Sequence, residues 1–470
     1  MAFILKKKIL IPEDPCTNFY VGNIVVSAET TTTTTTTTLP TTTTSTTPAP
    51  TTTTSTTPAP TTTTSTTPAP TTTTSTTPAP TTTTSTTPAP TIPIPFIATF
   101  DTTLDGTPTE LQLPLVDDGT YDFDIDWGDG NIEYGFTTWD DARKLHTYGV
   151  GGVYTIRISG QTEGWNFASD THSRRKILEI SQWGNGIQLD TPTYNSHFFY
   201  FAALTGITAS DNPLRPTTEM AQMFFVCNDL AYVNSTNWDT SNVTNMGQAF
   251  HGCNVLIDLD TSNWDTSNVQ NFGYTFGNCG DLEFIDVSGW DTSSAVSMWE
   301  MFGDASSIDN IDVSTWDVSN VSNPTRMFLN CLSLTYLDVS NWVLTATTSL
   351  FGMFQNCYVL DNLDISTWDV SNISNFQDTF SQAYALTGVT VYNWDIGSAT
   401  DMTNMFLNVQ LSTSTYDQIL INWNNLPSKQ SGVVFNGGDS EYTSGGAAET
   451  ARNNLISNDS WVITDGGIAP

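Results

Sequence analysis

Residues 246–271 read MGQAFHGCNVLIDLDTSNWDTSNVQN and residues 272–297 read FGYTFGNCGDLEFIDVSGWDTSSAVS. The two lines align without a gap, Phe250 over Phe276, Cys253 over Cys279 and Trp264 over Trp290. Phenylalanine keeps this 26-residue step from Phe224 through Phe302, Phe328, Phe354 and Phe380 to Phe406. Tryptophan keeps it from Trp238 through Trp316, Trp342 and Trp368 to Trp394. Cysteine stands at Cys227, Cys253, Cys279, Cys331 and Cys357, with Ala305 and Ala383 on the two remaining rungs. Three side chains locked to one period with no insertion make each repeat one coil of a solenoid, and a residue type at one coil position stacks into a ladder. Such a stack has a long regular surface and no natural deep cleft. Binding is therefore expected, and catalysis is not.

Within one coil the MxxMF piece has helical spacing. LDVS reads as a short strand with Leu337 and Val339 pointing inward. Asp-Thr-Ser-Asn is turn chemistry, because its side chains bond nearby backbone groups. Val243, Val269, Val321 and Ile373 then return to the core. Pro324 at a core-facing Met position, and Val343-Leu344 where Asp-Thr is usual, predict local irregularity. Stacked coils place equivalent cysteines about 4.8 Å apart, but with parallel Cβ vectors that suit a disulfide poorly. An odd number of them, with Ala as substitute, argues for small buried apolar residues.

The repeats resemble the BspA-like leucine-rich-repeat surface proteins that carry MFxxCxxLxxLDVSNWDTSNVTNM units. The match runs through Met246, Phe250, Cys253, Leu256, Leu259, Trp264 and Asp265-Thr-Ser-Asn-Val269, and it spans roughly 190 residues of this chain. The resemblance implies adhesion at a bacterial, mycoplasmal or phage surface, with no active site. Upstream, Asp126-Trp-Gly-Asp-Gly130, then His146-Thr-Tyr148, then Gly152-Val-Tyr-Thr-Ile156 are similar to the signatures of polycystic-kidney-disease-type (PKD) Ig-like sandwiches. That similarity implies a β-sandwich in which these motifs are structural.

The predicted fold class is mainly β: an Ig-like sandwich followed by a leucine-rich-repeat-type solenoid of 26-residue coils, on a disordered or polyproline-II Thr-Pro stalk. Residues 1–28 form a short docking segment with two apolar stretches, too small to fold alone. Residues 29–91 hold five copies of TTTTSTTPAP and only Leu39 as a large apolar residue, so no core can form there. Thr and Ser with regular Pro is the composition of O-glycosylated stalks. At about 3.1 Å per residue the segment would span roughly 190 Å. Residues 92–176 make the PKD-like sandwich, with strands at 110–115, 121–127 and 153–159. Residues 177–219 cap the first coil, and residues 220–408 are the coils. Residues 409–470 are a C-terminal cap with helices at 415–426 and 446–457 and strands at 432–435 and 461–464.

The chain has 13 basic and 48 acidic residues, a formal net charge of -35. Nucleic acid and anionic membranes are thereby excluded as partners, since phosphate binding needs clustered Lys and Arg. No stretch has the length of a membrane span. The apolar run 9–11 after Lys6-Lys7-Lys8 is too short for a secretory signal core. A virion protein released by lysis would reconcile the exposed-surface composition with the lack of an export signal, and an unrecognised secretion route is the alternative.

Candidate sites are few. The Asp column (Asp239, Asp265, Asp291, Asp317, Asp369, Asp395) and the WGDG residues Asp126 and Asp129 could chelate calcium. Turn formation is the preferred reading of both, and no cofactor is called for. The Trp ladder is either a packed corner or an exposed strip for sugar stacking. The four histidines, His146, His172, His197 and His251, lack metal-ligand spacing, and no hydrolase, zincin or P-loop motif occurs. Thr41, Thr51, Thr61, Thr71 and Thr81 are candidate glycosylation sites. The expected function is a non-enzymatic attachment protein, a virion fibre or decoration protein that binds a host-surface glycan or protein. Residues 1–28 would contact virion or filament subunits, and homo-oligomerisation stays open. A bacterial cell-surface adhesin and a subunit of a glycosylated extracellular filament are the rival readings.

Overall fold

The computed structural model describes residues 93–166, 173–188, 203–214, 217–361 and 363–470, all within Thr86–Pro470. The expected docking segment, the stalk with its threonines, Cys16, His172 and His197 lie outside the described residues. The described residues are mainly β, in open sheets with no closed barrel.

The first section is built from β1 (Phe96–Asp101), β2 (Glu110–Gln112), β3 (Tyr121–Asp126), β4 (Ile132–Phe136), β5 (Leu145–Thr147), β6 (Val153–Glu163), β7 (Ile177–Gln182) and β8 (Ile187–Gln188). In β3, Tyr121, Phe123 and Ile125 are buried while Asp122 and Asp124 face solvent, the period-two alternation of a half-buried strand. β1 lies between β6 and β7, antiparallel to both, and β3 joins the other edge of β6. β2 pairs with β5 in a separate two-stranded sheet. The strand expected at 110–115 ends at Gln112, two residues before Pro114, whose nitrogen cannot donate to a ladder. Lys176 is fully buried here, its ammonium donating to Thr107 O, Thr107 Oγ1 and Glu110 O at 2.6, 2.9 and 2.7 Å.

The main sheet does not stop at β7. β9 (Gly206–Ile207) pairs parallel with β7, and β10 (Tyr232–Val233) pairs parallel with β9. Farther along, β11 (Asp258–Leu259) pairs parallel with β12 (Phe284–Ile285), and Asn310 bridges Tyr336 in the same sense. From β9 onward each partner lies 26 residues on, so the repeat register begins at Gly206, inside the segment expected to be only a cap. The apolar member of each pair is buried: Ile207, Val233, Leu259, Ile285, Ile311 and Leu337.

The MxxMF piece is not a helix. It is a run of overlapping four-residue turns, in which Met223 N bonds Met220 O (3.1 Å), Phe225 N bonds Gln222 O (3.3 Å) and Cys227 N bonds Phe224 O (3.3 Å). The intervening amides of Gln222, Phe224 and Val226 donate to Gly247, Ala249 and His251 O, one coil on, at 2.9, 2.7 and 2.6 Å. Gln222 and Val226 have φ of 57° and 59°, as the third residue of a type II turn requires. The following coils repeat this, with left-handed residues such as Tyr274 and Asn278, and Gly252 and Gly352 at two of the positions. Helix and turn ribbon share an i, i+3, i+4 inward pattern, which explains the misreading.

Opposite this ribbon, each Asp-x-Ser closes a tight corner. Asp265 Oδ1 accepts from Ser267 N (3.0 Å) and Ser267 Oγ (2.6 Å), and Asp260 accepts likewise from Ser262. Asn268 Nδ2 reaches back to Ser241 O at 2.9 Å, and Thr266 Oγ1 forward to Asp291 O at 2.9 Å. The corners are thus tied within and between coils. Inside, the phenylalanine rings stack at 5.3–5.9 Å between centroids and the tryptophans at 6.0–6.5 Å. The ladder cysteines are free and buried. Four thiols donate to the carbonyl of the previous coil's phenylalanine, as Cys279 does to Phe250 O at 3.1 Å.

Pro324 is buried and keeps its turn, with Met327 N bonding Pro324 O at 3.2 Å. The irregularity it causes is narrow. The run of bridges Glu219–Asn245–Asn271–Ser297–Asn323 breaks after Asn323 and resumes at Ser349–Asn375–Asp401. A proline nitrogen cannot carry the donor that the missing bridge needs. At the second expected irregularity Leu344 is buried and Val343 is 57% exposed.

The last coil passes into the C-terminal section through a parallel bridge from Met402 to Phe435. α1 (Thr413–Asn424) is N-capped by Ser412, whose side chain accepts from Thr415 N, and buries Tyr416, Ile419, Leu420 and Trp423. These positions form one stripe at helical spacing. β13 (Val434–Asn436), β14 (Glu441–Tyr442), α2 (Ala447–Ser457), β15 (Val462–Thr464) and β16 (Gly467–Ile468) complete the section. α2 packs on α1, β15 on β13 and β16 on β14. Asp465 anchors the unit, accepting from Arg452 Nε at 2.7 Å and Tyr416 Oη at 2.8 Å.

Candidate binding surface

Asp126 and Asp129, six coils' worth of corner aspartates and the Trp ladder were the residues that sequence singled out. Asp126 Oδ1 accepts from Gly128 N at 2.9 Å. Asp129 accepts from Asn131 N (3.0 Å), Asn131 Nδ2 (2.9 Å) and His146 Nε2 (2.9 Å). Burial alone would push the Asp129 carboxyl up, but the hydrogen bonds from His146 and Asn131 hold it below the usual range. Trp127 stacks on His146 at 4.5 Å and Tyr148 Oη donates to Trp127 O at 3.0 Å. The WGDG and H-x-Y motifs therefore meet in one packed cluster.

The corner aspartates are exposed but occupied by their own turns. Asp291 accepts from Ser293 N at 3.0 Å and, with Asp260, Asp312, Asp364 and Asp369, is held below the usual carboxylate range, first by the serine side chain and then by its amide. Among the described residues no group of three or more His, Cys, Asp or Glu is placed to hold a metal ion. Trp264, Trp290 and Trp316 are 5%, 3% and 2% exposed. They are packed rungs, and the reading of an open sugar strip along this ladder is overturned. His251 is half-buried, stacks on Phe225 at 5.1 Å, and has its basicity lowered by burial.

The surface that sequence reading missed is the outer side of the turn ribbon. There the coils differ. At the position of Gln222 the following coils carry Gln248, Tyr274, Glu300, Arg326, Gly352, Asp378 and Asn404. One residue earlier they carry Ala221, Gly247, Gly273, Trp299, Thr325, Phe351, Gln377 and Thr403. The corner side keeps Asp-Thr-Ser-Asn, Asp-Val-Ser-Asn or close variants in most coils. Read as a helix, the ribbon scatters these positions. Read as turns, it collects them on one face. A usable signal was present, since Gly252, Asn278, Asp304, Asn330, Asn356 and Asn408 recur at one position, and Gly, Asn and Asp are the residues that tolerate the left-handed region.

On this face lies a groove of about 400 Å³ over the first coils, lined in part by Asn245, Gly247, Asn271, Gly273, Tyr274 and Trp299. Its floor is an amide chain. Asn271 Nδ2 donates to Asn245 Oδ1 at 2.9 Å, and Asn245 Nδ2 donates to Glu219 Oε2 at 2.9 Å. Gly247 N and Gly273 N donate to Asn245 Oδ1 and Asn271 Oδ1 at 3.0 and 2.9 Å. At Gly247 an added Cβ would sit 2.7 Å from Asn271 Nδ2, so the amide would have to shift. Trp299, 40% exposed, closes one end of the groove and meets Tyr274 edge to face at 4.8 Å. Beyond it Glu300 pairs with Arg326 at 3.3 Å.

No helix among the described residues is long and apolar enough to cross a membrane. Comparison with curated proteins and with solved structures gives no match. One family profile does match: the family described as "Mycoplasma protein of unknown function, DUF285" covers residues 218–342 and 325–444, consistent with BspA-like repeats over residues 218–444.

Proposed function

We propose that this chain is a non-enzymatic attachment protein, displayed on a virion or cell surface, that binds a host-surface glycan or protein through the outer face of its turn ribbon. In this reading residues 220–408 are a leucine-rich-repeat-type solenoid and the preceding β section is a PKD-like Ig sandwich. The sandwich sheet and the coil column share hydrogen bonds through β7, β9 and β10, so the two act as one head. Residues 29–91 are the stalk, O-glycosylated at threonines such as Thr41 and Thr81, and residues 1–28 dock to the parent assembly. The observation that carries the proposal is that the ribbon face combines coil-to-coil variation with an open groove. Core ladders and corner turns repeat because stacking demands it, whereas nothing in the packing demands that Gln248, Tyr274, Glu300 and Arg326 differ at one coil position. The net charge of -35 opposes a nucleic-acid or anionic-membrane partner.

The test is saturable binding of the labelled full chain to a panel of intact bacterial cells, scored by flow cytometry. Binding to a defined subset of strains supports the proposal. Absence of saturable binding across the panel overturns it. Mass spectrometry of the chain from its native particles or cells then reads hexose-type mass on residues 30–91, which a glycosylated stalk requires.

A further inference from the structure

The groove over the first coils has a specific chemistry. Its floor is amide and its end wall is an exposed indole. Each amide nitrogen carries two hydrogens. The Asn271–Asn245–Glu219 chain uses one from each, and the other hydrogen on both side chains remains for a ligand. The chain ends on a carboxylate, so its hydrogen bonds polarise in one direction and strengthen the amides as donors. Gly247 and Gly273 carry no side chain and leave the floor flat, and a Cβ at Gly247 would press on the Asn271 amide. Trp299 occupies the position that glycine holds in the two preceding coils, and so it rises as a wall where the flat floor ends. Its ring is part-exposed although the ladder tryptophans are all buried, so packing does not account for it.

We infer that this groove is a carbohydrate subsite that takes one neutral pyranose ring of a host-surface glycan, its apolar C–H face on Trp299 and its hydroxyls on the amides of Asn245 and Asn271. This rests on the attachment reading and names the ligand class of the same face. A pyranose has one apolar face and a rim of hydroxyls that both donate and accept, which suits an indole beside a row of amides. A groove of about 400 Å³ falls within the ~300–1,000 Å³ range of small-ligand sites. The net charge of -35 disfavours sialylated or phosphorylated sugars at this face. The groove is open along the stack, so the flanking residues of a longer glycan can continue over the neighbouring coils.

The test uses side chains that the chain itself places at the same positions in other coils, so folding is retained. Trp299→Thr copies Thr325, and Asn271→Ser copies Ser297. Val343→Asp restores the usual corner residue on the opposite side and serves as the control. The full chain is titrated with a neutral oligosaccharide panel and with 3′-sialyllactose, by calorimetry and by tryptophan fluorescence. The inference requires that a neutral oligosaccharide binds and shifts the fluorescence, and that 3′-sialyllactose does not bind. It also requires that Trp299→Thr removes the shift, that both groove variants weaken binding by about tenfold or more, and that Val343→Asp changes nothing. It is overturned if no neutral sugar binds, or if binding survives both groove variants. If the chain still adheres to cells and neutral sugars fail to compete, the carbohydrate subsite is wrong and attachment stands. If the chain adheres to no cell, the attachment reading itself has failed.

Discussion

Two tryptophans on one ladder should respond oppositely to the same substitution. Trp316 donates from Nε1 to Val287 O at 3.1 Å, and Trp342, Trp368 and Trp394 repeat the bond at 3.1, 3.0 and 3.3 Å. Trp238, Trp264 and Trp290 have the same stacking but no acceptor for the buried Nε1. The division follows the residue 29 places earlier, which is Val or Ile for the bonded rungs but Ser235 for Trp264 and Thr261 for Trp290. Replacing Trp264 or Trp316 by Phe removes similar ring volume from similar stacks. Trp316→Phe also forfeits a hydrogen bond worth about 1 kcal/mol net. Val287 O keeps its bond from Trp290 N, so no orphan acceptor is added. Trp264→Phe removes a buried, unpaired donor whose desolvation costs about 1–3 kcal/mol. Trp316→Phe should therefore be the more damaging change by about 2–4 kcal/mol. With a urea dependence of roughly 2–3 kcal/mol per molar, the two unfolding midpoints should differ by about 1 M, at unchanged slope. Equal midpoints, or a lower one for Trp264→Phe, would refute the reasoning that the first rungs carry an unpaid donor.

Other expectations follow from the same packing. Burial pushes the Cys279 and Cys357 thiols up to about 12 and those of Cys253 and Cys331 well above their ordinary value. The native Cys16→Ser variant should take up no iodoacetamide at pH 8, and fast labelling would contradict the buried ladder. Because these pKa values are raised on folding, their contribution is intact below about pH 9 and is lost as pH rises toward 12, so alkaline unfolding should begin in that window. The corner carboxylates behave in the opposite sense. Asp260, Asp291, Asp312, Asp364 and Asp369 lie below 3.8, so their contribution is present above that pH and fades as pH falls through the lowered values. Ser314→Ala should raise the Asp312 value in a carbon-detected NMR titration, and an unmoved curve would remove the serine as its cause. Lys176→Met strips donors from Thr107 and Glu110 and should cost about 3 kcal/mol, measured as a lower urea midpoint for the first β section. A chelator should leave the thermal midpoint where it is, since each corner carboxylate is already engaged by its own turn.

The 26-residue step made the stack and its ladders legible, because a side chain that must stack on its own copy cannot drift. The outward face was not legible for the same reason. Residues such as Tyr274, Trp299 and Arg326 obey no period, and a periodic reading discards them. MxxMF was taken for a helix because Met220, Met223 and Phe224 point inward at helical spacing, and only the left-handed residues at 222 and 226 separate the two geometries. The strand at β7 was hidden by its neighbours. Ile177 and Ile180 are buried against β1, but their spacing of three looks irregular for a strand, and the register shifts along the β1–β7 pair account for it. The amide chain of the groove could not be read from Asn245 and Asn271 alone, since asparagine in a turn-rich repeat is ordinarily a turn residue.

The central claim is that the outer face of the turn ribbon makes the contact with the host. Hydroxyl-radical footprinting of the full chain, free and bound to envelope fragments of an adhering strain, tests it with aromatic reporters on two sides. Trp299 reports from the variable face, and Tyr232, Phe284 and Tyr336, 50%, 62% and 46% exposed, report from the strand column. The account predicts that oxidation of Trp299 falls on binding while Tyr232, Phe284 and Tyr336 stay unchanged. Protection of the strand-column residues with Trp299 still fully reactive would contradict it.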